Sequence, residues 1–195
     1  MFTGIITATG KVTSASRVRG SLRVGIEKPR GWNLKLGDSV NVNGVCSTVN
    51  RLTAKTFEVE YMPETLKITT AAALTKGARA NLERSLRLSD RLDGHLVQGH
   101  IDTPGTVLEV KRITGSAVVK IKFPVCYKKF IAKKGSVCVN GVSLTVVEAG
   151  NDWFSVSLVN YTLEHTNLQN LAKNDKVNLE VDLLARYLDA AKAKI

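Results

Sequence analysis

The chain contains the segment Ser39-Val40-Asn41-Val42-Asn43-Gly44-Val45-Cys46-Ser47-Thr48-Val49 and, 97 positions later, the segment Ser136-Val137-Cys138-Val139-Asn140-Gly141-Val142-Ser143-Leu144-Thr145-Val146. The same offset relates Phe57 to Phe154, and near the start of each copy an offset of 95 relates Gly4 to Gly99. Matches that keep one order over half of a chain indicate that a single module has been duplicated.

Each copy shows the pattern of short antiparallel strands joined by tight turns. Asn43-Gly44 and Asn140-Gly141 lie between valines, and this dipeptide suits the two positive φ angles of a two-residue hairpin turn. Apolar and polar residues alternate through Thr56-Phe57-Glu58-Val59-Glu60-Tyr61, as in a half-buried strand. Because closing a sheet removes its exposed edges, the sequence predicts an all-β protein with two similar antiparallel β-barrels.

The end of the chain follows a different pattern. Leu184, Tyr187, Leu188, Ala191 and Ile195 recur at helical spacing, which predicts an amphipathic C-terminal α-helix. This helix either packs on its own domain or associates with the same helix of other subunits. The sequence therefore divides into a copy at residues 1–97, a copy at residues 98–182 and a helix at residues 183–195.

Composition and charge argue against several classes of protein. The formal net charge is +11, but the 28 Lys and Arg residues are dispersed and aromatic residues make up 6%, so we expect no nucleic-acid partner. No apolar run approaches the roughly 18 residues that span a bilayer, so we expect no membrane partner. The start of the chain lacks a secretory signal pattern, so we expect a cytoplasmic protein. The three cysteines have unrelated spacings, which predicts neither a disulfide framework nor a zinc site.

Chemistry is expected where the two copies differ at a shared position. Cys46 occupies the position that Ser143 holds in the second copy, and both are potential nucleophiles. Thr48 and Thr145 each follow two residues later, so in a strand each would point to the same side as its candidate nucleophile. The alternative for Cys46 is a small buried apolar side chain.

Two further differences concern titratable groups. His100 replaces Ile5, and an imidazole at neutral pH suits acid–base catalysis. Asp182 replaces Ser85, although a lone surface aspartate is common. His95 and His100 have no third ligand nearby in sequence and make a weak metal site. The residues alone therefore predict a ligand-binding double barrel with a Cys/Ser/His site.

These motifs together resemble riboflavin synthase of the trimeric, two-barrel kind over nearly the whole chain. The resemblance rests on Met1-Phe2-Thr3-Gly4-Ile5, Val42-Asn43-Gly44-Val45-Cys46, Asn81-Leu82-Glu83-Arg84-Ser85, Gly94-His95-Leu96-Val97-Gln98-Gly99-His100-Ile101-Asp102, Lys134-Gly135-Ser136, Asn140-Gly141-Val142-Ser143-Leu144-Thr145-Val146 and Asn178-Leu179-Glu180-Val181-Asp182. Ser47 departs from the family, which usually has leucine there. Asn160-Tyr161-Thr162-Leu163 also departs from the Pro-Glu-Thr-Leu-like run that Pro63-Glu64-Thr65-Leu66 keeps.

The resemblance implies two six-stranded lumazine-binding barrels at residues 1–97 and 98–182, and a trimerisation helix at residues 183–195. It implies that two molecules of 6,7-dimethyl-8-ribityllumazine, one in each barrel, exchange a four-carbon unit. The products are riboflavin and 5-amino-6-(D-ribitylamino)uracil, and no metal or redox cofactor takes part. In the implied homotrimer, the working site lies between the first barrel of one subunit and the second barrel of another.

The resemblance also assigns site residues by position. The first pocket is expected to use Cys46, Ser47, Thr48, Glu60, Tyr61, Met62, Pro63, Glu64, Thr65 and Lys134. The second is expected to use Gly4, Ile5, Ile6, Gly99, His100, Ile101, Ser143, Leu144, Thr145, Ser157, Leu158, Val159, Asn160, Tyr161 and Thr162. Catalytic roles are expected for Cys46, His100, Ser143, Asp182 and Phe2.

The expected roles differ between these five residues. His100 assists proton transfer, while Cys46 or Ser143 adds to C7 of one lumazine or positions water there. Phe2 helps to order the site, and Asp182 contributes a charge that only one copy has.

Two other functions compete with this enzyme. The first is a non-catalytic binding protein like the lumazine proteins, which carry one fluorescent ligand and typically lose ligand-binding features of the second barrel. Ser143, Thr145, His100 and Asp182 are all present here, which favours the enzyme. The second is a basic barrel that binds nucleic acid, and charge alone supports it.

Overall fold

The computed structural model describes residues 1–192. Strands of the first copy are β1 (Ala8–Val18), β2 (Ser21–Glu27), β3 (Ser39–Val42), β4 (Val45–Thr48), β5 (Arg51–Leu52), β6 (Thr56–Tyr61) and β7 (Arg79–Arg84). Strands of the second are β8 (Thr103–Ile113), β9 (Ser116–Lys122), β10 (Ser136–Val139), β11 (Val142–Ala149), β12 (Trp153–Val159) and β13 (Lys176–Val181). The α-helices are α1 (Pro63–Ile68), α2 (Asn160–His165) and α3 (Leu183–Lys192), and short 3-10 helices cover Thr70–Ala73, Val125–Phe130 and Asn167–Asn170.

The second copy is a closed six-stranded barrel in the order β10-β11-β12-β9-β8-β13, and every paired strand is antiparallel. Alternating side chains of these strands fill its interior with valine, leucine, isoleucine and phenylalanine. Closure leaves no unpaired edge, as the sequence pattern predicted.

The first copy keeps the same neighbour order but is a curled sheet, β4-β3-β7-β1-β2-β6-β5. Its counterpart of β11 is divided into β4 and β5, and Val49 and Asn50 lie between them. The Val49 N–H donates to the Asp38 carbonyl and the Asn50 N–H to the Glu58 carbonyl, each at 2.9 Å. The all-β, two-repeat fold is therefore confirmed, with a closed barrel in the second copy and a half-barrel sheet in the first.

The two predicted hairpin turns form where the Asn-Gly pairs lie, and their tips meet between the copies. Asn43 and Gly44 have φ angles of 50° and 88°, and Asn140 and Gly141 have 47° and 82°. A Cβ atom on Gly44 would lie 2.9 Å from the Gly141 nitrogen, so no side chain fits at this contact.

Two buried asparagines fix the tips from opposite sides. The Asn81 side chain donates to the Asn140 carbonyl at 2.9 Å, and the Asn178 side chain donates to the Asn43 carbonyl at 2.7 Å. The contacts are reciprocal because both copies contribute the same residue at the same position of the repeat. Since buried polar groups of this kind are costly when unpaired, the network fixes how the copies pack.

The segments that precede β1 and β8 are exchanged between the copies. Ile6 belongs to the apolar core of the second copy, while Ile101 belongs to the core of the first. Each copy therefore completes its core with a side chain from the start of the other.

Helix α3 begins at Leu183, and the Asp182 carboxylate caps it by accepting the Leu184 N–H at 2.9 Å. Arg186 ties it to Asp102 at 2.6 Å. Its apolar side chains Leu184, Tyr187 and Leu188 are nonetheless exposed. The predicted helix is confirmed over Leu183–Lys192, and Ile195 lies outside the described residues. Within residues 1–192, no helix has the length and apolar character needed to cross a membrane.

Candidate functional site

The exchanged segments bring a glycine against each candidate nucleophile. The Cys46 N–H donates to the Gly99 carbonyl at 2.9 Å, and the Ser143 N–H donates to the Gly4 carbonyl at 2.8 Å. Both glycines have a positive φ, 80° at Gly99 and 76° at Gly4. A Cβ on Gly99 would lie 2.7 Å from the Cys46 Cβ, and one on Gly4 would lie 2.6 Å from the Ser143 Cβ. Only glycine allows the backbone to approach this closely.

Two related but chemically different surfaces result. We call Cys46, Thr48 and residues 99–101 the cysteine site, and Ser143, Thr145 and residues 4–6 the serine site. Residues 99–101 were expected in the second pocket with Ser143, but the structure places Gly99 against Cys46 and Ile101 in the core of the first copy. The exchange of segments, which the repeat does not reveal, is the reason for this difference.

The exposed side chains of these segments also differ. His100 is exposed next to Gly99, while Ile5 is 39% exposed at the equivalent position next to Gly4. Thr48 and Thr145 are exposed on their strands. The cysteine site thus has an exposed histidine at the position where the serine site has an isoleucine.

The serine site has an imidazole of its own, that of His95, which the sequence pattern indicated only as a weak metal ligand. His95 Nδ1 lies 2.7 Å from the Ser143 hydroxyl oxygen. Burial lowers the pKa of His95, an effect that the negative charge of Asp182 partly opposes, so the ring is held mainly neutral at pH 7. Among the described residues, no hydrogen-bond partner occupies its buried Nε2.

A neutral imidazole beside a hydroxyl can accept its proton, as in other base-activated serines. His95 lies four residues before Gly99, upstream of the positions that match between the two copies. Comparing the copies therefore could not single it out.

The other predicted catalytic residues lie close to these two surfaces. Phe2 is fully buried with Val97 and Cys138 between the copies, and Cys46 packs against this group. Asp182 caps α3, and its charge reaches His95. Burial raises the pKa of the Cys138 thiol well above its usual range, so this thiol stays protonated at neutral pH.

Ser47 forms a buried polar pair in the first copy. Its hydroxyl is buried, donates to the Val45 carbonyl at 2.9 Å and lies 3.0 Å from the Tyr61 hydroxyl. The same two positions in the second copy are Leu144 and Leu158, both buried. A polar pair in one copy thus replaces an apolar pair in the other, and burial raises the pKa of Tyr61.

The predicted pocket walls lie where a strand passes into a helix. Residues 60–65 run from the end of β6 into α1, and residues 157–162 run from β12 into α2. Glu60 bonds to Ser21 and lies 3.3 Å from Arg23; these contacts lower its pKa, the Ser21 hydrogen bond most. A groove of about 450 Å³ is lined by Val18, Arg19, Ser21, Arg23, Glu60, Met62 and Pro63.

The remaining members of the walls have more varied surroundings. Tyr161 is exposed and stacks on His165, with ring centroids 4.0 Å apart. Asn160 bonds to Glu164 at 2.7 Å. Lys134 is exposed in the second barrel, where its N–H donates to the Val146 carbonyl. In residues 1–192, no group of three His, Cys, Asp or Glu side chains is arranged to hold a metal ion.

Comparison with known proteins agrees with this duplicated architecture. The family described as Lumazine binding domain matches residues 3–85 and again residues 98–182. Riboflavin synthase of Mycobacterium tuberculosis is 40% identical over 194 residues, which cover 97% of this chain and 96% of the relative. Riboflavin synthase of Bacillus subtilis is 35% identical over 189 residues, which cover 96% of this chain and 88% of the relative.

Solved structures give the same picture. LumP complexed with riboflavin superposes with a TM-score of 0.87 at 26% identity, covering 93% of this chain and 99% of LumP. LumP complexed with 6,7-dimethyl-8-(1'-D-ribityl) lumazine superposes with a TM-score of 0.83 over the same shares of the two chains. With both copies matched and curated relatives aligned over nearly their full length, the chain belongs to the riboflavin synthase family, built from two lumazine-binding domains.

Proposed function

We propose that this protein is a riboflavin synthase that converts two molecules of 6,7-dimethyl-8-ribityllumazine into riboflavin and 5-amino-6-(D-ribitylamino)uracil. Four carbons pass from one lumazine to the other, so the atoms of two substrates appear in two products and no external oxidant is needed. The observation that carries the proposal is the pair of related surfaces with different chemistry, one at Cys46 and one at Ser143, in a chain whose relatives are riboflavin synthases.

The reaction requires two identical substrates to behave differently. One lumazine loses a proton from its C7 methyl group, and the resulting anion is delocalised, so a weak base is sufficient. The other accepts a nucleophile at C7. A protein with two equal sites would treat both molecules alike, whereas the cysteine site and the serine site differ in nucleophile and in neighbouring imidazole.

We assign roles on this basis. Ser143, with its proton taken by neutral His95, adds to C7 of the lumazine at the serine site or directs water to that carbon. His100 assists proton transfer from the lumazine at the cysteine site, where Cys46 contacts the ring. Phe2 supports both sites from between the copies. Holding two substrates in reacting geometry supplies a further large part of the rate.

We further propose a cytoplasmic homotrimer of two lumazine-binding units, residues 1–97 and 98–182, with residues 183–195 as the assembly helix. The exposed Leu184, Tyr187 and Leu188 of α3 support this assembly, since a row of apolar side chains on one helix is stabilised when a partner covers it. Lys134 of the second barrel would then complete the first-barrel site of a neighbouring subunit.

Incubation of the purified protein with 6,7-dimethyl-8-ribityllumazine tests the function. Growth of riboflavin absorbance, with equimolar diaminouracil product, is the expected result. Bound lumazine fluorescence without turnover would instead identify a carrier protein. The absence of both signals would contradict the enzyme and the carrier function alike. C46S and H100A variants test the roles at the cysteine site, because full turnover in both would show that neither side chain takes part.

A further inference from the structure

Two buried carboxylates hold the exchanged segments that line the two sites. Glu83 on β7 accepts the Thr3 N–H at 2.6 Å, the Thr3 hydroxyl at 2.7 Å and the Gly4 N–H at 3.1 Å. Glu180, its counterpart on β13, accepts the Gln98 N–H at 2.7 Å and the Gly99 N–H at 2.9 Å. Both glutamates are almost completely buried, so their oxygens depend on these donors in place of water.

Each carboxylate is connected to one candidate nucleophile through two hydrogen bonds. Glu180 holds the Gly99 N–H, and the Gly99 carbonyl accepts the Cys46 N–H at 2.9 Å. Glu83 holds the Gly4 N–H, and the Gly4 carbonyl accepts the Ser143 N–H at 2.8 Å. Because the segments are exchanged, each carboxylate supports the candidate nucleophile of the other copy. The second-copy carboxylate supports the cysteine site, and the first-copy carboxylate supports the serine site.

We propose that Glu83 and Glu180 are positioning residues of the reaction, each fixing one substrate site and leaving the other unaffected. The proposal rests on the proposed function, because it concerns the same two sites. Neither carboxylate belongs to the cysteine site or the serine site as defined above. Each acts through the backbone: Glu83 positions residues 4–6 against Ser143, and Glu180 positions residues 99–101 against Cys46.

A change from Glu to Gln removes this hold with little change in shape. An amide has one acceptor oxygen and one NH2 donor, so one backbone N–H would face another donor in a buried place. An unpaired buried donor is disfavoured, and the segment is expected to move until the donor finds a partner. E180Q should therefore displace residues 98–100, and E83Q should displace residues 3–4.

Protection of the Cys46 thiol by bound riboflavin measures one site alone. Cys138 is 1% exposed, and replacing the exposed Cys126 with serine leaves Cys46 as the accessible thiol. In this C126S parent, riboflavin is expected to slow thiol labelling of Cys46. E180Q should raise the riboflavin concentration needed for half protection by about tenfold or more, because an unpaired buried donor carries a penalty of this order.

E83Q is the matched control, since it makes the same chemical change at the other site. It should leave protection of Cys46 within about threefold of the parent while still lowering turnover. Equal loss of protection in both variants, in proportion to their loss of thermal stability, would show a merely structural role and overturn the proposal. Unchanged protection in E180Q would overturn it as well.

Two further outcomes are distinguishable. A parent that riboflavin does not protect would contradict the proposed function, and with it this assignment. Should either glutamine variant fail to fold, E180D and E83D carry the same comparison, because they keep the charge and withdraw the oxygens by one methylene.

Discussion

The close approach of Gly99 to Cys46 makes a sharp prediction for G99A. Gly99 has a φ of 80°, and an alanine Cβ there would lie 2.7 Å from the Cys46 Cβ and nitrogen. An L-residue in the left-handed region is disfavoured by about 1–2 kcal/mol. To reach an ordinary contact of 3.4 Å the backbone must also separate by about 0.7 Å, and overpacking of this kind costs about 1–3 kcal/mol more.

G37A separates these two effects. Gly37 has nearly the same φ, 84°, but a Cβ there would meet nothing within 4 Å. Thermal and urea unfolding should therefore show G37A destabilised by about 1–2 kcal/mol and G99A by a further 1–3 kcal/mol or so.

Riboflavin formation should distinguish the two variants even more clearly. Displacement of the site lining by about 0.7 Å in G99A should lower kcat/KM by up to about two orders of magnitude, whereas G37A should stay close to the wild type. If G99A and G37A agreed within threefold in kcat/KM and unfolded alike, Gly99 would not be fixing the cysteine site.

H95N and S143A should each lower turnover by about 10²–10⁴, and the double variant should be no slower than the slower single one, because both act through one hydrogen bond. Burial raises the pKa of Glu180 to about 7, with Asp102 adding to the shift and the backbone N–H donors of residues 98–100 opposing it. The folded chain thus binds this proton more tightly than the unfolded chain does. The protonated Glu180 therefore contributes about 3 kcal/mol to the free energy of unfolding below pH 4, and this contribution is lost as pH rises through 7. The unfolding free energy of the wild type relative to that of E180Q should therefore fall as pH rises from 4 to 7, and a difference independent of pH would contradict this prediction. An L184S/L188S variant should sediment as a smaller species than the wild type; equal sedimentation would exclude α3 from the assembly.

The sequence was informative wherever a short segment decides its own structure. The Asn-Gly pairs at residues 43–44 and 140–141 adopt the predicted positive φ angles because steric limits on φ act within one turn. The alternating pattern through residues 56–61 gave a strand for a similarly local reason, since successive side chains in a strand point to opposite faces. The repeat itself revealed the duplicated fold and the positions where the copies differ.

Contacts between distant segments could not be predicted in the same way. Residues 99–101 lie with Cys46 because the starts of the two copies are exchanged, and nothing in the repeat states which copy a segment packs against. The repeat likewise did not predict that the first-copy strand is divided into β4 and β5, because its counterpart β11 is continuous over Val142–Ala149.

The sequence by itself therefore determined that the chain is a duplicated β-barrel protein with a thiol in one copy where the other has a hydroxyl. Only the tertiary structure decided that the His95 imidazole lies beside Ser143, and that Glu83 and Glu180 each bind a segment that packs against the other copy. The physical reason is that local sequence limits φ and ψ and the facing of side chains. Which buried polar groups become partners depends on how the two copies pack, because each must find its donor or acceptor within the folded chain.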